Sequence, residues 1–267
     1  MAFEYLAHLL TVPVRVGDVD TRFIFDTGIG LNLVSEALAA RTGCEPDGSA
    51  FTGRRMSGHP VTIPMGSVAS LQLGTHRAED VPVGIFDMQA MAGLDGVEGF
   101  LSLSYFRITP VTVDYTAGLV VIEDQASLTR RAEVGTSVTV QVVRDSQATD
   151  LRLGLTLPGG QPITVEVDTG SDPLILNETL AADAGIDLHD PGTRRTEGTD
   201  ETGHGFVRYF ATLPGDVSVT GAPQIRMARP DVMFQKIIYD GLVGQAFLRN
   251  FTTTYDLAGS RIIFAVP

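Results

Sequence analysis

Two aspartates in this sequence stand in the same tripeptide, Asp26-Thr27-Gly28 and Asp168-Thr169-Gly170, 142 positions apart. Two carboxyls held at about 3 Å cannot both ionise cheaply, so they share one proton and titrate as a pair. The ionised member can then act as general base on a water held between them. The protonated member can donate a hydrogen bond to a carbonyl oxygen on which charge develops. That is chemistry for direct attack of water on an amide, and it requires neither a metal nor a covalent intermediate. Gly28 and Gly170 suit it, because a tight turn brings backbone N–H groups close to each carboxylate and a side chain there would hinder the approach.

The elements that must position these residues recur at the same offset. Ser35 meets Asn177, Leu38-Ala39-Ala40 meets Leu180-Ala181-Ala182, Gly43 meets Gly185, Gly99-Phe100-Leu101 meets Gly241-Leu242-Val243, and Asp114 meets Asp256. The chain is duplicated. In each copy a strand pattern (Val12 to Val16; Leu151 to Leu157) turns into a second strand rich in Val, Ile, Thr and Phe (Thr21 to Phe25; Pro162 to Val167). The Asp-Thr-Gly follows on the loop. A two-turn helix is expected next in both copies, with Ser35 and Asn177 as N-caps and Gly43 and Gly185 just past the C-terminus. Gly- and Pro-punctuated hairpins follow, from Gly53 to Gly74 and from Gly198 to Gly221. Residues 125–150 read as a connector in which Val138 to Val143 form one strand. The expected fold class is all-β with short helices, in two lobes: 1–132, and 133–267 including the connector strand.

Composition narrows the function classes. The 267 residues carry 19 Lys+Arg against 32 Asp+Glu, a formal charge of −13, and the only lysine is Lys236. That balance argues against a nucleic-acid partner, and no Gly-Lys of a Walker A loop occurs. The single cysteine, Cys44, rules out an internal disulfide and multi-cysteine metal sites. His8, His76 and His189 have no ligand spacing, so no metal and no cofactor are expected. No apolar run is long enough to span a membrane and no basic leader opens the chain, so a cytoplasmic monomer without a membrane partner is expected.

The paired Asp-Thr-Gly loops, each after an apolar strand and each with a downstream Gly-apolar-apolar block, resemble the aspartic proteases. The likeness covers nearly the whole chain apart from the connector. Each short half is closer to a retropepsin-like unit than to a pepsin lobe, and the nearest description is a fused pair of such units of the kind found in bacteria. The resemblance implies a bilobal acid-protease fold of two pseudo-twofold-related, β-barrel-like lobes, with Asp26 and Asp168 as the dyad of an aspartic endopeptidase. It also implies that Thr27 and Thr169 cross-brace the loops and that Ser171 hydrogen-bonds its neighbouring Asp168. Hairpin tips at Gly58-His59 and Gly203-His204, with Tyr209 nearby, are the candidates for closing over an extended peptide or protein substrate.

One position departs from the pattern. The counterpart of Ser171 is Ile29, which has no hydroxyl. Losing a hydrogen bond to a carboxylate favours its protonated form, so Asp26 is expected to be the readier proton holder and activity to extend to less acidic pH. The same bulk leaves a second reading open, a catalytically inactive protease-like module that binds peptide or protein. A third is a structural role for a duplicated β unit.

Overall fold

Val12, Val14 and Val16 point inward from the strand Leu9–Val16 while Pro13 and Arg15 face out. That period of two makes the strand amphipathic and fixes which face it buries. It pairs antiparallel with Val19–Phe25, with Thr11 opposite Ile24. The same hairpin recurs where Ala148–Thr156 pairs with Pro162–Val167, with Arg152 opposite Glu166. In the computed structural model, which describes residues 1–88, 93–199 and 204–266, each hairpin leads directly into one of the two aspartates.

The strand before each aspartate is locked by a short strand from far along its own copy. Gly99–Leu101 runs parallel to Val19–Phe25 (Phe23 opposite Gly99) and antiparallel to Leu33–Ser35 (Leu33 opposite Phe100). Gly241–Val243 repeats this, with Val165 opposite Gly241 and Ile175 opposite Leu242. The first arrangement belongs to an eight-stranded sheet and the second to a ten-stranded one. A five-stranded sheet draws on both copies, and in it Val111–Asp114 pairs with Thr252–Asp256. There the hydroxyls of Thr112 and Thr254, again 142 residues apart, meet at 2.7 Å. One continuous apolar cluster, including Phe25, Phe106, Phe234, Phe247, Tyr255 and Phe264, joins all three sheets. Burying each such side chain contributes roughly 1.5–3 kcal/mol.

The chain is mostly β, 51% in strands against 11% in helix, as the all-β expectation has it. Three local expectations change. The first short helix forms at Glu36–Thr42, with the Ser35 hydroxyl accepting from the Leu38 amide and Gly43 left-handed at φ 69°. Its counterpart does not, and a 3-10 turn stands at Glu178–Leu180 instead. Asn177 still caps this turn, accepting from the Thr179 amide, while its side-chain amide is committed to the carbonyls of Ile237 and Tyr239. The connector holds a helix that the apolar pattern does not announce, Gln125–Val134, because only Leu128 is buried on it; a capping box between Asp124 and Ser127 starts it. The expected boundary at 132/133 falls inside this helix. The single strand expected over Val138 to Val143 is two: Thr136–Thr139 joins the five-stranded sheet and Gln141–Asp145 pairs with Ala148–Thr156. Among the described residues no helix is long and apolar enough to cross a membrane.

Candidate active site

Asp26 and Asp168 emerge from the ends of matching strands and their amides are tied down in the same way, Asp26 N–H to Leu101 O and Asp168 N–H to Val243 O, both at 3.0 Å. Within each loop the glycine amide donates to its own aspartate at 2.8 Å, Gly28 to Asp26 Oδ1 and Gly170 to Asp168 Oδ1. The loops then brace each other. The Thr27 amide donates to Thr169 Oγ1 at 3.1 Å and the Thr169 amide to Thr27 Oγ1 at 3.0 Å. Each hydroxyl passes its own proton to a carbonyl of the opposite strand, Thr27 to Val167 O and Thr169 to Phe25 O. Both threonines are fully buried, so every one of these groups lacks water as an alternative partner. Thr27→Val leaves the Thr169 amide and the Val167 carbonyl unpaired. Its expected cost is about 3 kcal/mol in urea unfolding, whereas Thr27→Ser stays within about 1 kcal/mol of the parent.

This bracing sets each carboxyl against the other loop's glycine: a methyl group on Gly28 would lie 2.6 Å from Asp168 Cγ, and one on Gly170 2.8 Å from Asp26 Cγ. Burial raises both pKa values, because a charged carboxylate loses water it cannot replace. The two sites are unequal. Asp168 lies well above the ordinary carboxylate range, pushed by burial, by Asp26 and by the carboxylate of Glu166. Asp26 accepts from the Gly28 amide, and the nearby Ile29 and Gly170 amides also favour its charge. Burial raises Asp26, in the direction the missing hydroxyl at Ile29 would also push it, while the neighbouring backbone amides act the other way. The Ile29 main-chain amide favours charge on Asp26, and the negative charge of Glu166 bears on Asp168. Ser171 does not offset it; among the described residues its hydroxyl makes no hydrogen bond to Asp168, and only its backbone is engaged, the carbonyl accepting from Gln245 N–H at 2.8 Å.

The hairpin tips converge. Gly58, at φ +87°, closes the first tip by donating to Arg55 O. That tip docks on the other copy, where Ile238 N–H donates to Met56 O at 2.9 Å. His59 stacks on His204 from the second hairpin, with centroids 3.6 Å apart and rings 26° from parallel. A cavity of about 1030 Å³ beside the tips is lined by Arg55, His59, Glu178, His204 and Lys236 among others, and by neither aspartate of the pair. Gly203 lies outside the described residues. Tyr209 is not at the tip: it packs on the main core and hydrogen-bonds Arg195, while its neighbour Phe210, on the opposite face of the strand, joins the smaller cluster with Met56 and Tyr239.

Three residues near the dyad carry no motif. Gln245 donates to the carbonyls of His8 and Thr169, and a His8 ring nitrogen lies 3.0 Å from Gly170 O, so the first hairpin is tied to the second loop. Glu166, buried two residues before Asp168, has its pKa raised by burial to about 7, although Arg152 lies 3.0 Å away. A carboxyl whose pKa folding raises holds its proton more tightly folded than unfolded. Its stabilisation is full at acidic pH and is lost as pH climbs from about 4.5 to about 7. Urea unfolding of the parent is expected to lose roughly 3 kcal/mol over that window from this group, and Glu166→Gln to lose correspondingly less. Among the described residues no group of three His, Cys, Asp or Glu could hold a metal ion.

Residues 12–105 match a family model described as aspartyl protease. The matched stretch holds Asp26-Thr27-Gly28, the hairpin tip at Gly58-His59 and Gly99-Phe100-Leu101, so this part of the chain is similar to aspartyl proteases and supports a protease-type hydrolytic function. No curated protein matches the chain by sequence.

Proposed function

We propose that this chain is an aspartic endopeptidase in which two retropepsin-like lobes, 1–132 and 133–267, related by a pseudo-twofold axis, each supply one carboxylate, Asp26 and Asp168. The observation that supports the reading is the reciprocal Thr27–Thr169 bracing of the two loops that carry Asp26 and Asp168. With one proton between them, Asp26 is the base that activates water and Asp168 the acid that meets the scissile carbonyl oxygen. Because one chain carries both carboxylates, a monomer suffices. An extended peptide lies under the tips at His59 and His204, and the docked first tip excludes water from above.

The test is cleavage of an unstructured protein such as casein from pH 3 to 8, with a statine-type inhibitor and with Asp26→Asn and Asp168→Asn as controls. Inhibited cleavage that both substitutions remove supports the reading; cleavage that survives either one overturns it. Tight peptide binding without turnover at any pH would instead favour a binding module.

A further inference from the structure

The faces that the two copies turn toward the dyad differ in charge. In the first copy Leu10, Val12, Phe23 and Phe25 enter the main core. The alternate positions on the other face are Leu9, Thr11 and Ile24, and Leu9 and Ile24 join an apolar cluster with Ile29 and Val97. In the second copy Leu151, Leu153, Val165 and Val167 enter the core. The matching alternate positions are Asp150, Arg152 and Glu166, on the face that continues into Asp168. Tyr239 stands where Val97 stands in the first copy, with the Arg152 guanidinium 4.1 Å over its ring.

This cluster is short of donors. Arg152 Nη1 is 3.0 Å from Glu166 Oε2, yet that buried oxygen accepts no hydrogen bond from any described residue. Asp150 packs against Gly30, which directly follows Ile29 of the first loop, and among the described residues no hydrogen bond to its carboxyl is formed. Two carboxylates face one guanidinium, with a third negative charge shared on the dyad. Buried acceptors without donors are costly, and the group that relieves them is a cation carrying several N–H bonds. An acidic side chain would meet the negative charge shared on the dyad and two further carboxyls, and an apolar one would leave the Asp150 carboxyl unmet.

We propose that Asp150, Glu166 and Arg152 form a specificity subsite on the second-copy side of the dyad that takes a lysine or arginine side chain adjacent to the scissile bond, while the first copy takes a large apolar one. The proposal rests on the endopeptidase reading for its position beside the cleaved bond. Arg152 holds Glu166 in place at 3.0 Å and walls the subsite against Tyr239; Asp150 receives the incoming cation, with the Glu166 carboxyl behind it.

The test is cleavage-site profiling of a mixed peptide library by mass spectrometry, followed by kcat/KM on three matched peptides with Lys, Leu or Glu at the position in question. The Lys peptide is expected to exceed both others by about tenfold or more. The double substitution Arg152→Thr with Glu166→Ile copies the first copy's Thr11–Ile24 pair and removes the ion pair as a unit, so no buried charge is stranded. It is expected to cut the Lys-to-Leu ratio about tenfold, and Asp150→Asn to lower it severalfold, with thermal unfolding confirming that each variant is folded. Apolar residues at both flanking positions, an acidic preference, or a ratio that neither variant moves would overturn the proposal. If the parent cleaves nothing, the endopeptidase reading fails first. Anisotropy with the same three peptides, labelled, then reads the subsite alone: preferential binding of the Lys peptide supports it, and equal binding overturns it.

Discussion

Asp168→Asn is expected to reduce hydrolysis by at least about 10⁴-fold while leaving the protein no less stable than the parent at neutral pH. The loss follows from the division of roles: general acid and base contributions each reach 10²–10⁴-fold, and here one shared proton serves both. An amide at 168 keeps the shape and can still donate to a neighbouring oxygen, but it cannot release that proton to the departing amine. Asp26→Asn is expected to lose as much, since water is then left without a base. Stability moves the other way. Asp168 is held well above the ordinary carboxylate range by burial, by Asp26 and by Glu166. Above its unfolded pKa the folded state therefore bears a penalty that a neutral Asn removes. Urea unfolding at pH 7, beside kcat/KM on one peptide, measures both halves. A variant that loses activity and stability together would point to collapse of the loops and not to removal of a proton carrier.

The same inequality sets the expected pH response. Turnover requires one proton on the pair, so raising the pKa of Asp168 extends the active form toward neutral pH. Glu166→Gln removes a charge that raises Asp168 and is expected to draw the alkaline limb of kcat/KM toward acid, while Ile29→Ser, which leaves the Ile29 amide contact in place, moves it little.

Much of this site could be read from the sequence because its signals are local and repeated. Asp-Thr-Gly, the strand before it and the Gly-apolar-apolar block each show in a few consecutive residues, and a shared offset ties them together. What could not be read depends on register and on faces. Glu166 sits in plain view between Val165 and Val167, but only the pairing that sets Arg152 opposite it and Val165 in the core turns it toward Asp168. The Ile29 side chain points to a missing hydrogen bond, but the Ile29 main-chain amide also favours charge on Asp26, and sequence does not report main-chain geometry. The helix Gln125–Val134 escaped because it buries one leucine and so has little apolar stripe. The strand over Val138 to Val143 alternates well enough as one piece, yet Val138 serves one sheet and Val142 another. Tyr209 stands in the second hairpin, as the sequence has it, and the period of two turns it to the main core and its neighbour Phe210 to the smaller cluster.

The glycines of the two loops carry the second large expectation. A methyl group on Gly28 would lie 2.6 Å from Asp168 Cγ, and one on Gly170 would collide with the Asp26 carboxyl. Each loop thus reserves the space that the other loop's aspartate occupies. Nothing there can yield easily: both aspartate amides are fixed to neighbouring strands and both threonines are fully buried. Gly28→Ala must therefore push Asp168 off its position by a large fraction of an ångström, or separate the loops and break the threonine bracing. Displacements of about 1 Å cost on the order of 10²-fold in rate, and overpacking of this kind costs about 1–3 kcal/mol in stability. The expected result for Gly28→Ala, and equally for Gly170→Ala, is a loss of 10²-fold or more in kcat/KM by these estimates, with KM changed far less because the substrate-holding hairpins are untouched. Steady-state kinetics with urea unfolding on both alanine variants checks it. A variant that kept parental kcat would mean that the two carboxyls do not approach each other through these glycines, and the shared-proton mechanism would lose its geometric basis.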